Sequence, residues 1–275
     1  MENVNQSYQE NSNGKNLCYG IIEVTAQCQL RCPGCYMVKR NALGKNQISY
    51  ELSVKILDLC KEFIGKELDS MDILGGEPLL WPYLKEYVSE LLKRGISPWI
   101  FTNMLAITPE LAKWLFERKV YITGKLNVDP DDHSQIQLQA SMLGGNIAMA
   151  KKLFSKIKIF KKAGYTSPFF ILENLIRKKN IEVVPAYYAW CLKNKISPDI
   201  ELVASGESIN QKYWDIAPTP EQIAIMINKI QEVRNNNGLE PAKVIMPHIF
   251  GKCRFYDKGL YFSINGDIRA CSNST

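Results

Sequence analysis

Short apolar runs rich in β-formers alternate along most of the chain with longer amphipathic stretches. The runs Tyr19–Val24, Met71–Leu74, Pro98–Phe101, Val120–Leu126, Phe169–Leu172 and Ile200–Val203 have the length and side chains of buried strands. Between them the period changes. Leu52, Ile56, Leu59, Cys60 and Phe63 recur at helical spacing behind Ser49, a residue type that caps helix N-termini. Pro82–Lys93 repeats the pattern and stops at Gly95, and Thr108-Pro109-Glu110 opens another helix with a cap and a proline in its first turn. Asn146–Lys162 ends at Gly164, and Ile181–Leu192 gives a fifth helix. The sixth has the strongest start signal, the capping box Thr219-Pro220-Glu221-Gln222, followed by the stripe Ile223, Met226, Ile227, Ile230 and Val233.

Six β-then-α units in succession predict a parallel sheet with crossover helices. From about residue 236 the pattern is lost, until two β-like runs, Leu260–Ile264 and Asp267–Ala270, flank Asn265-Gly266, a strong hairpin signal. The expected organisation is a polar segment over 1–18, an α/β domain over 19–235 and a small β-hairpin region over 236–275.

Composition narrows the setting. The 275 residues are 46% hydrophobic and 23% charged, an ordinary globular balance. The longest apolar run, Ala186–Leu192, falls far short of the about 20 residues that span a bilayer. The opening MENVNQSYQENSNGKN has no apolar core of a secretory signal, so a cytoplasmic setting is expected. The net charge of +6 is mild. Lys151, Lys152, Lys156, Lys158, Lys161 and Lys162 read as the solvated face of a helix that buries Leu153, Phe154, Ile157 and Phe160, so nucleic acid is not an expected partner.

Eight cysteines change the picture, because three crowd into Cys28-Gln-Leu-Arg-Cys32-Pro-Gly-Cys35, directly after the first strand. Thiolates are soft ligands for zinc or iron–sulfur clusters. A structural zinc site wants four closed ligands, and no fourth Cys or His lies nearby. Three thiolates suit a [4Fe–4S] cluster with one iron open, with zinc and coincidence as the competing readings. Cys60 sits within a helical stripe and reads as a core thiol. One strand later comes Gly75-Gly76-Glu77-Pro78, whose glycines permit a tight turn and a close approach, and whose carboxylate can accept from an ammonium group.

With these motifs the sequence, over about residues 19–235, resembles the radical S-adenosylmethionine (SAM) enzymes. The resemblance rests on the C-x3-C-x2-C loop, on GGEP, and on Phe101-Thr102-Asn103 after the third strand. It implies a (β/α)6 partial TIM barrel and a [4Fe–4S] cluster on Cys28, Cys32 and Cys35, with SAM's amino and carboxylate groups on the fourth iron. It further implies one-electron cleavage of SAM and hydrogen abstraction by a 5′-deoxyadenosyl radical. Gly75, Gly76 and Glu77 match the family's contact to the methionyl amine. The family often has an aromatic residue just before the third cysteine; here Gly34 stands there, and Tyr36, which follows Cys35, is read as taking the adenine contact. Thr102, Asn103, Lys125, Asn127, Glu173 and Asn174 lie at predicted strand ends where SAM or substrate would be met, or else are solvated loop residues. His133 and His248 read as surface histidines.

Cys253 and Cys271 bracket the hairpin in a way similar to the opening of the SPASM and twitch extensions. That implies half the ligands of an auxiliary [4Fe–4S] cluster. Only four residues follow Cys271, so one expectation is a chain that stops before its remaining ligands. Completion by Cys18, Cys60 or Cys191, and two thiols merely buried in the hairpin, stay open. The expected partners are a peptide or small-molecule substrate and an electron donor such as flavodoxin or ferredoxin. The alternative function is a non-catalytic iron–sulfur carrier or scaffold, which leaves GGEP unexplained.

Overall fold

The structure is a computed structural model that describes residues 18–33, 35–39, 44–203, 216–240 and 259–269. All six expected strands are present: β1 (Tyr19–Thr25), β2 (Ser70–Gly75), β3 (Ser97–Thr102), β4 (Tyr121–Lys125), β5 (Phe170–Ile176) and β6 (Ser197–Leu202). Each pairs in parallel with the next. Their C-terminal ends therefore share one rim, where an α/β fold of this kind places its chemistry. The sheet is open: among the described residues β6 stands at one edge and does not return to β1.

The hairpin forms as β7 (Gly259–Phe262) and β8 (Ile268–Arg269), antiparallel to each other. It does not stand apart from the main sheet. β7 pairs in parallel with β1, giving the order β6-β5-β4-β3-β2-β1-β7-β8. Buried Glu23 of β1 fastens it, accepting from the Tyr261 hydroxyl and from the Ile264 N–H at 3.0 Å.

The helices are α1 (Tyr36–Lys39), α2 (Tyr50–Ile64), α3 (Leu84–Lys93), α4 (Pro109–Glu117), α5 (Ile136–Leu143), α6 (Ile147–Lys162), α7 (Val184–Lys193) and α8 (Pro220–Asn236). The expected caps are in place. Ser49, Thr108 and Asn146 each accept a first-turn N–H, and Thr219 with Gln222 makes the full capping box. In α2 the buried face is Ser53, Ile56, Leu57 and Cys60, whereas Leu52, Leu59 and Phe63, expected inside, are exposed. A helix of 3.6 residues per turn cannot turn positions 52, 59 and 63 to the same side as 53, 57 and 60. In α6 Leu153, Ile157 and Phe160 are buried as expected, and Phe154 is half-buried. Among the described residues no helix is long and apolar enough to cross a membrane.

Candidate functional site

The three-cysteine loop leaves the end of β1, and both its ends are tied. Ala26 donates to Asn46 O at 2.8 Å and accepts from Gly44 N–H at 3.1 Å, so the returning chain runs back along the strand. Within the loop, Cys35 N–H donates to Cys32 O at 3.1 Å, and Arg31 caps the Cys28 and Leu30 carbonyls at 3.0 and 2.9 Å. Two donors reach the Cys28 sulfur: Leu30 N–H at 3.4 Å and the Asn103 amide at 3.6 Å.

The three thiols lie in electrostatic range of one another. Burial, and then Glu77 and Cys35, raises the Cys28 thiol against the bonds from Leu30 and Asn103. Burial pushes Cys32 up to about 12, with Cys35 and Cys28 adding to it and Lys125 and Arg177 opposing it. Such thiols stay protonated until a cation draws the proton off. Among the described residues no three His, Cys, Asp or Glu converge as a single metal ion would need. A cluster takes each thiolate on a different iron and does not impose that convergence. Three soft donors, with N–H groups aimed at one sulfur, fit a [4Fe–4S] cluster.

The GGEP turn is pressed against the base of this loop. Gly76 N–H donates to Thr25 O at 2.6 Å and Glu77 N–H to Gln27 O at 2.7 Å. The close approach that the two glycines permit is made first to the chain's own backbone. Glu77 is fully buried, and its carboxylate accepts from the Thr102 hydroxyl at 2.5 Å, Leu79 N–H at 3.1 Å and Asn103 N–H at 2.7 Å. Burial pushes its carboxyl up to about 7 against these bonds. Thr102 and Asn103 are thereby brought to the loop. Asn103 also donates to Gln29 Oε1 at 3.2 Å, so one side chain joins the end of β3 to the cysteine segment. An open cavity of about 430 Å³ lies against the loop, with Cys28, Gln29, Arg31 and Lys45 in its wall. It falls in the size range of ligand clefts, about 300–1,000 Å³.

Farther along the rim, Lys125 and Glu173 are register partners on β4 and β5 and form an ion pair. Burial works to lower the Lys125 ammonium, but Glu173, Glu201 and Asp199 outweigh it and hold it above its ordinary value. Burial raises Glu173, which Lys125 opposes and Glu201 reinforces. Replacing Lys125 by Met should therefore strand Glu173 among like charges. We expect a loss of about 1–3 kcal/mol at pH 7, less than for a fully buried pair because the Lys125 side chain is 40% exposed. Without the ammonium, the folded-state pKa of Glu173 climbs further above its unfolded value. The deficit is then full at neutral pH and shrinks as acid protonates the carboxyl. Urea unfolding at pH 7 and pH 5 reads both.

Tyr36 is placed next to Tyr261 and Glu23; burial first, then these neighbours, holds its hydroxyl well above the ordinary tyrosine range. Asn127 and Asn174 are buried and serve the fold: Asn127 Oδ1 accepts from Leu175 N–H at 3.3 Å, and Asn174 Oδ1 from the Asn180 amide at 2.9 Å. His133 is exposed, and Cys60 and Cys191 are buried in the core. Cys253, Cys271 and His248 lie outside the described residues.

Among the described residues four buried charges lie outside the expected set: Glu23, Asp72, Arg177 and Arg234. Glu23 stands alone in an apolar strand, which is a legible signal. Arg177 follows β5, which runs to Ile176, four residues beyond the strand expected from sequence.

A sequence profile described as the Radical SAM superfamily matches residues 22–189. A tungsten-containing aldehyde ferredoxin oxidoreductase cofactor-modifying protein of Pyrococcus furiosus is 27% identical over 227 residues, covering 79% of this chain and 60% of that protein. A probable GTP 3′,8-cyclase of Methanococcus maripaludis is 24% identical over 204 residues, covering 74% and 65%. Among solved structures, SuiB of Streptococcus suis bound to S-adenosylmethionine superposes with a TM-score of 0.68 at 16% identity, over 93% of this chain and 60% of that one. Native anSMEcpe with bound AdoMet gives 0.70 at 15% identity, over 94% and 75%. The chain thus spans less than two thirds of the length of both sequence relatives.

Proposed function

Because the chain belongs to the radical SAM superfamily, we propose that it cleaves SAM reductively and abstracts hydrogen from a peptide or small-molecule substrate. The observation that carries this reading is the loop of Cys28, Cys32 and Cys35 at the end of β1, locked to Gly75-Gly76-Glu77 at the end of β2. Those three cysteines would hold the [4Fe–4S] cluster. The chemistry that such a cluster would supply there, with SAM bound, is one-electron reductive cleavage of the sulfonium.

The protein's part is to bind, orient and exclude water. Backbone groups of Gly75 and Gly76 would meet the methionyl amine. The Glu77 carboxylate is already engaged by Thr102, Leu79 and Asn103, so it acts by fixing that turn and the end of β3. Asn103 orients Cys28. Tyr36 would contribute its ring near adenine, and Lys125 with Glu173 would face SAM or substrate from β4 and β5.

Both substrate classes have support. SuiB has been solved with its precursor peptide SuiA and anSMEcpe with a peptide, whereas the two sequence relatives are named for cofactor modification and GTP cyclisation. A flavodoxin or ferredoxin would deliver the electron. Cys253 and Cys271, in a twitch/SPASM-like region over 236–275, would supply half of an auxiliary [4Fe–4S] site.

Anaerobic reconstitution, followed by SAM and dithionite, tests the proposal by the appearance of 5′-deoxyadenosine. An intact cluster with no SAM cleavage would sink it and leave the carrier reading. About four irons per chain would mean one cluster and about eight an assembled auxiliary site.

A further inference from the structure

Arg177 is a cation built into the wall of the site, and among the described residues no carboxylate pairs with it. It is 5% exposed. Its main chain is fixed, with the N–H donating to Asn180 Oδ1 at 2.7 Å and the carbonyl accepting from Asn180 and Ile181 N–H, each at 3.1 Å. Asn180 is itself buried and held by Asn174. This anchoring delivers the guanidinium to the cysteine loop, where Nη2 donates to the Pro33 carbonyl, between Cys32 and Cys35.

A carbonyl satisfies one N–H but not the charge. The Arg177 Nε is buried with no hydrogen-bond partner, and no carboxylate stands within ion-pair distance of the guanidinium among the described residues. Burying a guanidinium in this way is costly unless an anion shares the site. Lys125 also acts on Cys32, but its charge is engaged by Glu173. Burial lowers the Arg177 guanidinium below its ordinary value, and only Cys32 and Cys35, once ionised as ligands, would oppose that.

Resting on the reading that the three cysteines hold a [4Fe–4S] cluster, we propose that Arg177 is its positioning residue and fixed counter-charge: it clamps the Cys32–Cys35 turn and favours the reduced cluster. Reduction adds one negative charge, and a fixed cation in a poorly solvated wall stabilises the more negative state. The effect is on how readily the electron is accepted, before SAM takes any part.

The test is an EPR-monitored redox titration of the reconstituted full chain without SAM, comparing Arg177→Gln and Arg177→Lys with the unaltered protein. At the unaltered protein's midpoint, Arg177→Gln should lower the reduced-to-oxidised ratio about tenfold, equivalent to ~59 mV for one electron. Arg177→Lys, which keeps the charge, should stay within about threefold. Iron retained by the Lys variant and lost by the Gln variant would also support the clamp. A fully loaded Gln variant with an unshifted midpoint overturns the proposal. So does a Lys variant shifted as far as Gln, or iron lost from both. If the unaltered protein takes up no cluster, the cluster reading itself fails, whatever Arg177 does.

Discussion

Cys32→Ala should abolish SAM cleavage while leaving the fold intact. Cys32 lies in a loop after β1 rather than inside a strand, and its side chain is only partly buried, so an alanine removes a ligand without opening a core cavity. Its thiol, pushed up to about 12 by burial and by Cys35 and Cys28, gains nothing as a free thiolate and gains a great deal as an iron ligand. With two cysteines left, a cluster that needs three protein ligands and an open iron cannot be held. Iron should fall from about four per chain to a residual level, and 5′-deoxyadenosine to background. The metal-free variant should keep the helical signal and urea midpoint of the unaltered metal-free protein. Cys60→Ala gives the opposite pattern. That thiol is 2% exposed in the core, so its loss should lower stability by about 1 kcal/mol and spare both iron and cleavage. A Cys32→Ala protein that still cleaves SAM would show that the ligand set is wrongly assigned.

The contrast between these thiols was readable in the sequence because spacing separates them: three follow a strand at loop spacing, one falls on a helix face. The same local rules placed the six strands and the helix caps, since each is decided by neighbours within a few residues. Long-range pairing was not readable. Nothing within Leu260–Ile264 says that β7 will lie parallel to β1, because that is settled by Glu23 receiving Tyr261 and Ile264 across more than two hundred residues. Helix α5 was missed for a related reason. Its inner face carries Gln139, which is buried because it accepts from Asn127 N–H, and this breaks the apolar pattern. Arg177 was hidden by the boundary of β5. Drawn to Leu172 the strand stops just before Glu173, but it runs on to Ile176 and brings an arginine to the rim. The glycines of GGEP were legible as a close approach, but what they approach was not.

That approach sets the largest structural effect expected here. A Cβ placed on Gly76 would lie 2.2 Å from Gln27 O and 2.7 Å from Gln27 C, main-chain atoms that no rotamer change can move. Gly76→Ala must therefore push the end of β2 away from the segment that leads into Cys28. The bonds from Gly76 to Thr25 and from Glu77 to Gln27 would go first. Glu77 would move next, and with it the carboxylate that holds Thr102 and Asn103, and then the Asn103 amide on the Cys28 sulfur. Overpacking against backbone should cost about 3 kcal/mol. Gly65, at the C-terminus of α2, supplies the reference. Its φ of 80° disfavours a side chain but nothing lies within 4 Å of the added Cβ, so Gly65→Ala should cost only about 1–2 kcal/mol. Urea unfolding of the two metal-free variants separates steric contact from backbone conformation. Iron uptake separates them again, because only Gly76→Ala disturbs the base of the cysteine loop. Equal stability losses and equal iron contents would mean that the turn yields, and that the contact between β1 and β2 does not hold the cluster loop in place.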